Sequence, residues 1–269
     1  MAALQSWALT LLDLPLLEQY GWRLLQGLQI TAEVVTISCL IGFLLSYPVA
    51  RARMARNPIA RGVSLGYVTF FRGTPLLCQL YLVYYGAGEI RPFLTSVGLW
   101  WFFRDAFFCC IFAFALNTGA YQGEIIRGAL LAIPVGQVRA AQALGLSRYR
   151  IARHVVWPQA LLLALRPLGN ELIGMIKASA LAAIVTLLDL MGQTRFVFAR
   201  TFDFSVYLYA AVIYLLITGA IGRLWGLAEW RLSRHMREGR QPAASLATAT
   251  ADRRDVLAGA PSVAATQAR

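Results

Sequence analysis

A few polar side chains recur at helical spacing in a chain that is otherwise strongly apolar. Asn117, Tyr121, Glu124 and Gly128 fall at i, i+4, i+7 and i+11, one stripe of a helix. Arg166, Asn170 and Lys177 fall at i, i+4 and i+11 on one face of another. An ionisable group at the centre of a membrane helix costs about 2.5–3.5 kcal/mol on insertion scales, so each needs a partner or a function. As a set they read as the lining of a translocation path. Singly, each also fits interhelical pairing, with Glu124 meeting Lys177 or Arg127 and with Gly128 and Gly174 letting helices approach closely.

Phe71-Arg72-Gly73-Thr74-Pro75 interrupts another apolar run. Pro75 removes a backbone hydrogen bond and Gly73 weakens the helix, so a kink or short unwinding is expected. Arg72 can bond the freed carbonyls, or it can present positive charge to a substrate carboxylate on the same path.

Other chemistries are excluded. The chain has no Gly-x-x-x-x-Gly-Lys-Ser/Thr phosphate loop, so no ATP site of its own is expected. It has neither Gly-x-Ser-x-Gly nor His-Glu-x-x-His, the marks of a hydrolase. His154 and His235 have no third ligand in view, so no metal site is expected. Cys39, Cys78, Cys109 and Cys110 lie in apolar runs without metal spacing and read as small buried hydrophobes.

The elements that must hold these residues are membrane helices. Only 14% of the 269 residues are charged and 58% are hydrophobic, against about 25% charged in soluble domains. The net charge of +12 comes from arginines between apolar runs, which points to membrane topology rather than nucleic acid. Five spans are expected, at 31–49, 64–85, 106–131, 159–188 and 206–227. Arg51, Arg53, Arg56 and Arg61 follow the first; Arg139, Arg148, Arg150 and Arg153 follow the third; Arg231, Arg234, Arg237 and Arg240 follow the fifth. The alternate loops balance their arginines with acids. The fold expected is therefore all-α and integral to the membrane, N-terminus outside and C-terminus inside. Tyr81, Tyr84, Tyr85, Trp100, Trp101, Tyr207 and Tyr209 read as interfacial anchors. Residues 1–22 read as an interfacial segment, 23–235 as the membrane domain and 241–269, rich in Ala, Thr and Ser, as a disordered tail.

Between the third and fourth spans lies a polar stretch, 134–158. Pro134 opens it, Gln137 to Leu144 can make two turns of helix, Gly145 permits a sharp turn and Ser147 can cap a second helix running to Pro158. A bare connection needs only a few residues, so this one is expected to dock something.

Arg139-Ala140-Ala141, Gly145, Ile151 and Trp157-Pro158 resemble the EAA loop of ATP-binding cassette importer permeases. Phe71-Arg72-Gly73-Thr74-Pro75, Ala115-Leu116-Asn117-Thr118-Gly119-Ala120-Tyr121, Gly123-Glu124-Ile125-Ile126-Arg127-Gly128 and Lys177-Ala178-Ser179-Ala180-Leu181 narrow the likeness to the amino-acid and opine permeases. The resemblance covers residues 20–235. It implies a MetI-like type I permease of the bacterial inner membrane that transports but does not hydrolyse. ATP and magnesium would be held by separate ATPase subunits, with a second permease subunit and an external solute-binding protein as further partners. Val138, Arg139, Ala140, Ala141, Leu144, Gly145 and Pro158 would form the docking loop. Where the family has Glu, this chain has Arg139. Val185-Thr186-Leu187-Leu188-Asp189-Leu190-Met191-Gly192-Gln193-Thr194-Arg195 is similar to permeases for basic amino acids and opines. The alternatives are an ion-coupled carrier or channel using Glu124 and Lys177 without an ATPase, and a scaffold without transport.

Overall fold

The computed structural model describes residues 14–238, and every regular element among them is a helix. Helix α1 runs unbroken from Leu14 to Arg53. Its 40 residues extend about 60 Å at 1.5 Å per residue. The expected boundary at residue 22 therefore falls inside a helix, and the span over 31–49 is only its later half. Nothing between residues 14 and 31 breaks helical geometry, and Leu16, Leu24 and Thr31, a turn or two apart, keep one buried face throughout. Most of the expected interfacial segment, and all of the expected tail 241–269, lie outside the described residues.

Helix α2 (Pro58–Gly73) starts on Asn57, whose side-chain oxygen accepts from the Ile59 amide at 2.9 Å. It stops where the sequence predicts. Thr74 and Pro75 are extended, with ψ of 147° and 135°, before α3 (Leu76–Glu89) resumes. The expected second span is thus two helices of 16 and 14 residues, each short of the ~20 a crossing needs. Short α4 (Arg91–Ser96) and α5 (Trp100–Phe103) lead to α6 (Ala106–Leu131), opened by Asp105 accepting from the Phe107 amide at 2.8 Å. Then come α7 (Val135–Ala143), α8 (Arg148–Ile151) and one wide turn to α9 (Trp157–Ala178), which tightens into a 3₁₀ stretch ending at Val185. Helices α10 (Leu190–Thr201) and α11 (Ser205–Glu238) complete the described chain.

Four stretches among the described residues are long and apolar enough to cross a membrane: 15–53, 106–131, 148–185 and 205–233. The pairing of α1 with α6 shows what the broken α2–α3 segment does. Ser38 lies against Ile111, Leu45 against Gly119, Val49 against Gly123 and Arg53 against Glu124, so the two helices run parallel. Parallel neighbours require the chain between them to travel back, and α2 with α3 makes that return.

Residues up to Trp225 form one compact unit and those from Gly226 onward another, of which the described part is helix. The main core of the first unit joins Val34 and Val35 of α1, Leu80 of α3, Phe114 of α6 and Ile176 of α9. A second cluster sets Leu16 and Leu24 of α1 against Leu190, Val197 and Val206. Tyr209, expected as an interfacial anchor, is buried in that cluster because its helix face looks onto α10. Cys109 and Cys110 are buried as expected, whereas Cys78 is exposed on α3. Trp225 donates from Nε1 to the Leu165 carbonyl at 2.8 Å, tying α11 to α9.

Asp189 anchors the link between α9 and α10. It is 1% exposed, and its Oδ1 accepts from the Gly192 amide at 2.8 Å, while Oδ2 has no partner among the described residues. Burial pushes its carboxyl above the ordinary range to about 6, against the opposing pull of the backbone amides. The folded state therefore holds a proton that the unfolded chain has already lost between pH ~4 and 6, so stability falls as pH rises through that window and is level above it. At ~1.4 kcal/mol per pKa unit the effect is at most about 3 kcal/mol. Asp189→Asn, measured by thermal unfolding in detergent, is expected to remove that slope and to melt higher than wild type at pH 7. An unchanged slope would show that Asp189 is not the responsible group.

Candidate translocation path and coupling loop

A helix carbonyl normally accepts from the amide four residues on. Pro75 has none, which leaves the Phe71 carbonyl without its partner. Two amide side chains take over. Gln79 Nε2 donates to Phe71 O at 2.9 Å, and to Thr74 O and Oγ1 at 3.1 and 2.9 Å. Asn117 Nδ2 donates to Phe71 O at 3.0 Å and to Gln79 Oε1 at 2.9 Å. Arg72, expected as one candidate for this role, points elsewhere: its guanidinium carbon lies 5.0 Å from the centroid of the Tyr121 ring.

The break opens a cavity of about 290 Å³, lined by Thr74, Pro75, Asn117, Tyr121, Glu171 and Gly174 among others. Glu171 accepts from the Thr118 hydroxyl at 3.0 Å, and Thr118 in turn accepts from Gln122 at 3.0 Å. No ion pair to Glu171 is present among the described residues, although the charge of Arg72 acts on it.

Of the expected path residues, Asn117 and Tyr121 line this cavity, and Arg72 sits over Tyr121. Glu124 does not line it. It is held by Arg53 Nε at 2.8 Å and Arg127 at 2.7 Å. Arg166, Asn170 and Lys177 do share a face of α9, but that face is exposed. The face of α9 turned towards the cavity carries Glu171, Gly174, Met175 and Ala178 instead.

The stretch 134–158 folds as a helix, a tight turn and a second helix. Gly145 adopts φ of +74°, a left-handed conformation that costs a residue without a side chain little. Around it the Leu146 amide reaches Ala141 O at 3.2 Å and the Gly145 amide reaches Gln142 O at 2.9 Å, the paired bonds of a Schellman stop. Ser147 caps α8, accepting from the Arg150 amide at 3.4 Å. Val138 packs onto Ala129, Ile133, Ala160 and Ala164, and Ala141 is buried. Arg139, Ala140 and Gly145 face outward, and Leu144 is 81% exposed. Pro158 lies in the first turn of α9, next to Trp157, whose ring centroid is 5.7 Å from that of Tyr47.

Residues 40–233 match the profile of a family described as the binding-protein-dependent transport system inner membrane component. The chain belongs to this family. The permease is 41% identical over 227 residues to the nopaline transport system permease protein NocM of Agrobacterium fabrum, covering 84% of this chain and 94% of that one. It is 36% identical to the octopine transport system permease protein OccM of Rhizobium meliloti, over 81% and 89% of the two chains. With the arginine ABC transporter permease protein ArtM of Escherichia coli it shares 30%, over 78% and 95%. Among solved structures, an amino acid ABC transporter with histidines superimposes with a TM-score of 0.71 at 33% identity, covering 80% of this chain and 96% of that one. An inward-facing MetNI methionine transporter gives 0.61 at 20% identity, covering 80% and 98%, which speaks to the fold alone. Family membership leaves the ion-coupled carrier and the scaffold without support.

Three residues of the permease's site were passed over in the sequence: Gln79, Thr118 and Glu171. Glu171 is an acid inside a span, but it lies beside the more regular polar stripe of Arg166, Asn170 and Lys177 on the neighbouring face of α9. For Gln79 the signal was its position four residues after Pro75, one turn beyond the break. Gln79→Leu is expected to cost about 1–3 kcal/mol of stability, since Thr74 O loses its partner while Asn117 still covers Phe71 O. Adding Asn117→Leu orphans Phe71 O and should cost at least as much again, by thermal unfolding in detergent. A double variant no worse than the single would contradict this account.

Proposed function

We propose that this permease carries a cationic amino acid or an opine inward across the bacterial inner membrane, driven by separate ATPase subunits docked on residues 134–158. The observation that carries the substrate class is the unpaired Glu171 carboxylate on the wall of a 290 Å³ cavity. Arginine and the arginine-derived opines share a cationic guanidinium that such a group would meet, and NocM, OccM and ArtM are named for transport of that kind. Arg72, against Tyr121 at the cavity wall, offers the complementary charge for a substrate carboxylate. Asn117 and Tyr121 complete the polar lining.

The cavity is a half-site in this reading. Asn170 and Lys177 lie exposed along α9 next to cavity-lining Gly174. Lipid is a poor neighbour for such groups, so a second permease subunit, identical or related, covers that face and closes the path. An external solute-binding protein delivers the substrate.

The arginine-rich end of α1 and the loop 134–158 face the cytoplasm, by the bias of positive charge to that side. Leu144, Arg139 and Ala140 would then meet the ATPase, while Val138 and Ala141 hold the loop to the base of α6 and α9. Closure of the ATPase pair on ATP, with its magnesium, pulls on the loop and tilts α6 and α9. Because Arg139 stands where the family has Glu, the partner's facing group is acidic or neutral.

Uptake in proteoliposomes of the assembled complex tests the reading. Glu171→Gln is expected to raise KM for arginine about 10- to 100-fold, the worth of one charge-assisted hydrogen bond, with kcat less affected. An unchanged KM would sink the substrate assignment. Gly145→Asp should leave the protein in the membrane but abolish transport-coupled ATP hydrolysis: a Cβ there meets no atom of the permease, and the positive φ of 74° strains the turn that presents the loop. Hydrolysis at the wild-type rate would mean that the ATPase docks elsewhere.

A further inference from the structure

Helices α1 and α6 meet backbone to backbone along four turns. A side chain on Gly42 would collide with Thr118, one on Gly123 would stand 2.8 Å from Val49 Cγ1, and one on Gly119 would stand 3.3 Å from Leu45 Cβ. Ser38 donates to the Ile111 carbonyl at 3.4 Å at one end of this seam. At the other end Arg53 closes it, its Nε 2.8 Å from Glu124 Oε1, with the two side chains 17% and 11% exposed. Arg127 occupies the second oxygen at 2.7 Å, but this pair lies within α6 itself. This ion pair between helices therefore sits where α1 ends and seven residues before α6 gives way to the loop.

We propose that Glu124 is a positioning residue for energy coupling: it clamps the base of α1 to the base of α6, so that force on the loop moves both helices as one body. The inference rests on the reading that an ATPase docks on residues 134–158. The seam of glycines resists sliding and separation along its length, yet a pull on the end of α6 acts first on its last turns. There, beyond Gly123, packing gives way to the Arg53–Glu124 contact. Without it, α6 can peel from α1 under load, and hydrolysis is spent on bending one helix. With it, the displacement reaches Thr118, whose hydroxyl holds Glu171 at the cavity.

The test is the number of substrate molecules carried per ATP hydrolysed by the reconstituted complex. Glu124→Gln and Arg53→Gln are each expected to lower this ratio at least about fivefold, the lower end of typical coupling energies, with ATPase association and basal hydrolysis retained. Arg127→Gln should stay near wild type. A wild-type ratio in both Glu124→Gln and Arg53→Gln overturns the proposal, as does an Arg127→Gln defect equal to theirs. Failure of the wild-type complex to assemble with an ATPase would instead overturn the docking reading. A second measurement needs no variant at the clamp. Spin labels at exposed Arg51 and Leu131, in a cysteine-replaced background, should keep a constant separation between ATP-free and ATP-bound complexes. A separation that changes with nucleotide in the wild-type clamp also overturns it.

Discussion

A bilayer offers no water to an unpaired carbonyl, and that constraint organises this permease around one atom, the Phe71 oxygen. Pro75 orphans it, and two amides from elsewhere in the fold converge to satisfy it. Because one of them, Asn117, comes from α6, the repair fixes how α2 and α3 sit on that helix. Because helix does not fill the break, a polar recess remains between the broken segment, α6 and α9. The cavity is thus a by-product of the way the fold satisfies a missing amide, and its lining amide is the same Asn117 that makes the repair.

Around this centre the contacts grade from rigid to available. Glycines bring α1 and α6 together without side chains between them, and Glu124 finishes the seam in charge. Glu171 has one hydroxyl partner, with the charge of Arg72 nearby rather than in an ion pair. The loop 134–158 is anchored through Val138 and presents Leu144. Two carboxylates in one membrane domain are therefore held differently, one by two guanidinium groups and one by a single hydroxyl on a cavity wall.

Much of this was legible in the residues. Helix α6 falls at 106–131 as read, because Asp105 and the run of apolar residues after it mark its start. Gly73-Thr74-Pro75 gave away the break, and Gly145 with Ser147 gave away the turn and cap of the loop. What periodicity cannot give is which face looks inward. On α9 both Arg166–Asn170–Lys177 and Glu171–Gly174–Ala178 are regular stripes, and only packing against α6 selects the second. The partner of Gln79 was hidden for a related reason: it is a carbonyl whose need arises at Pro75, so the pair exists only once the chain has bent. The full length of α1 is hard to read because Gln19, Gln26 and Gln29 interrupt the apolar run, although they occupy the exposed side of a helix that simply continues.

The parallel seam also bears on biogenesis. An antiparallel neighbour could fold back within one hairpin, but Arg53 and Glu124 are 71 residues apart, and Ser38 and Ile111 are 73. At translation rates of about 5–20 residues per second, α1 waits between ~4 and ~14 s for the surface it was shaped to meet. During that interval the groove beside Gly42 faces lipid or the insertion machinery, and Arg53 has no counter-charge. Assembly of the membrane domain is therefore held open by its first helix and sealed only when α6 arrives.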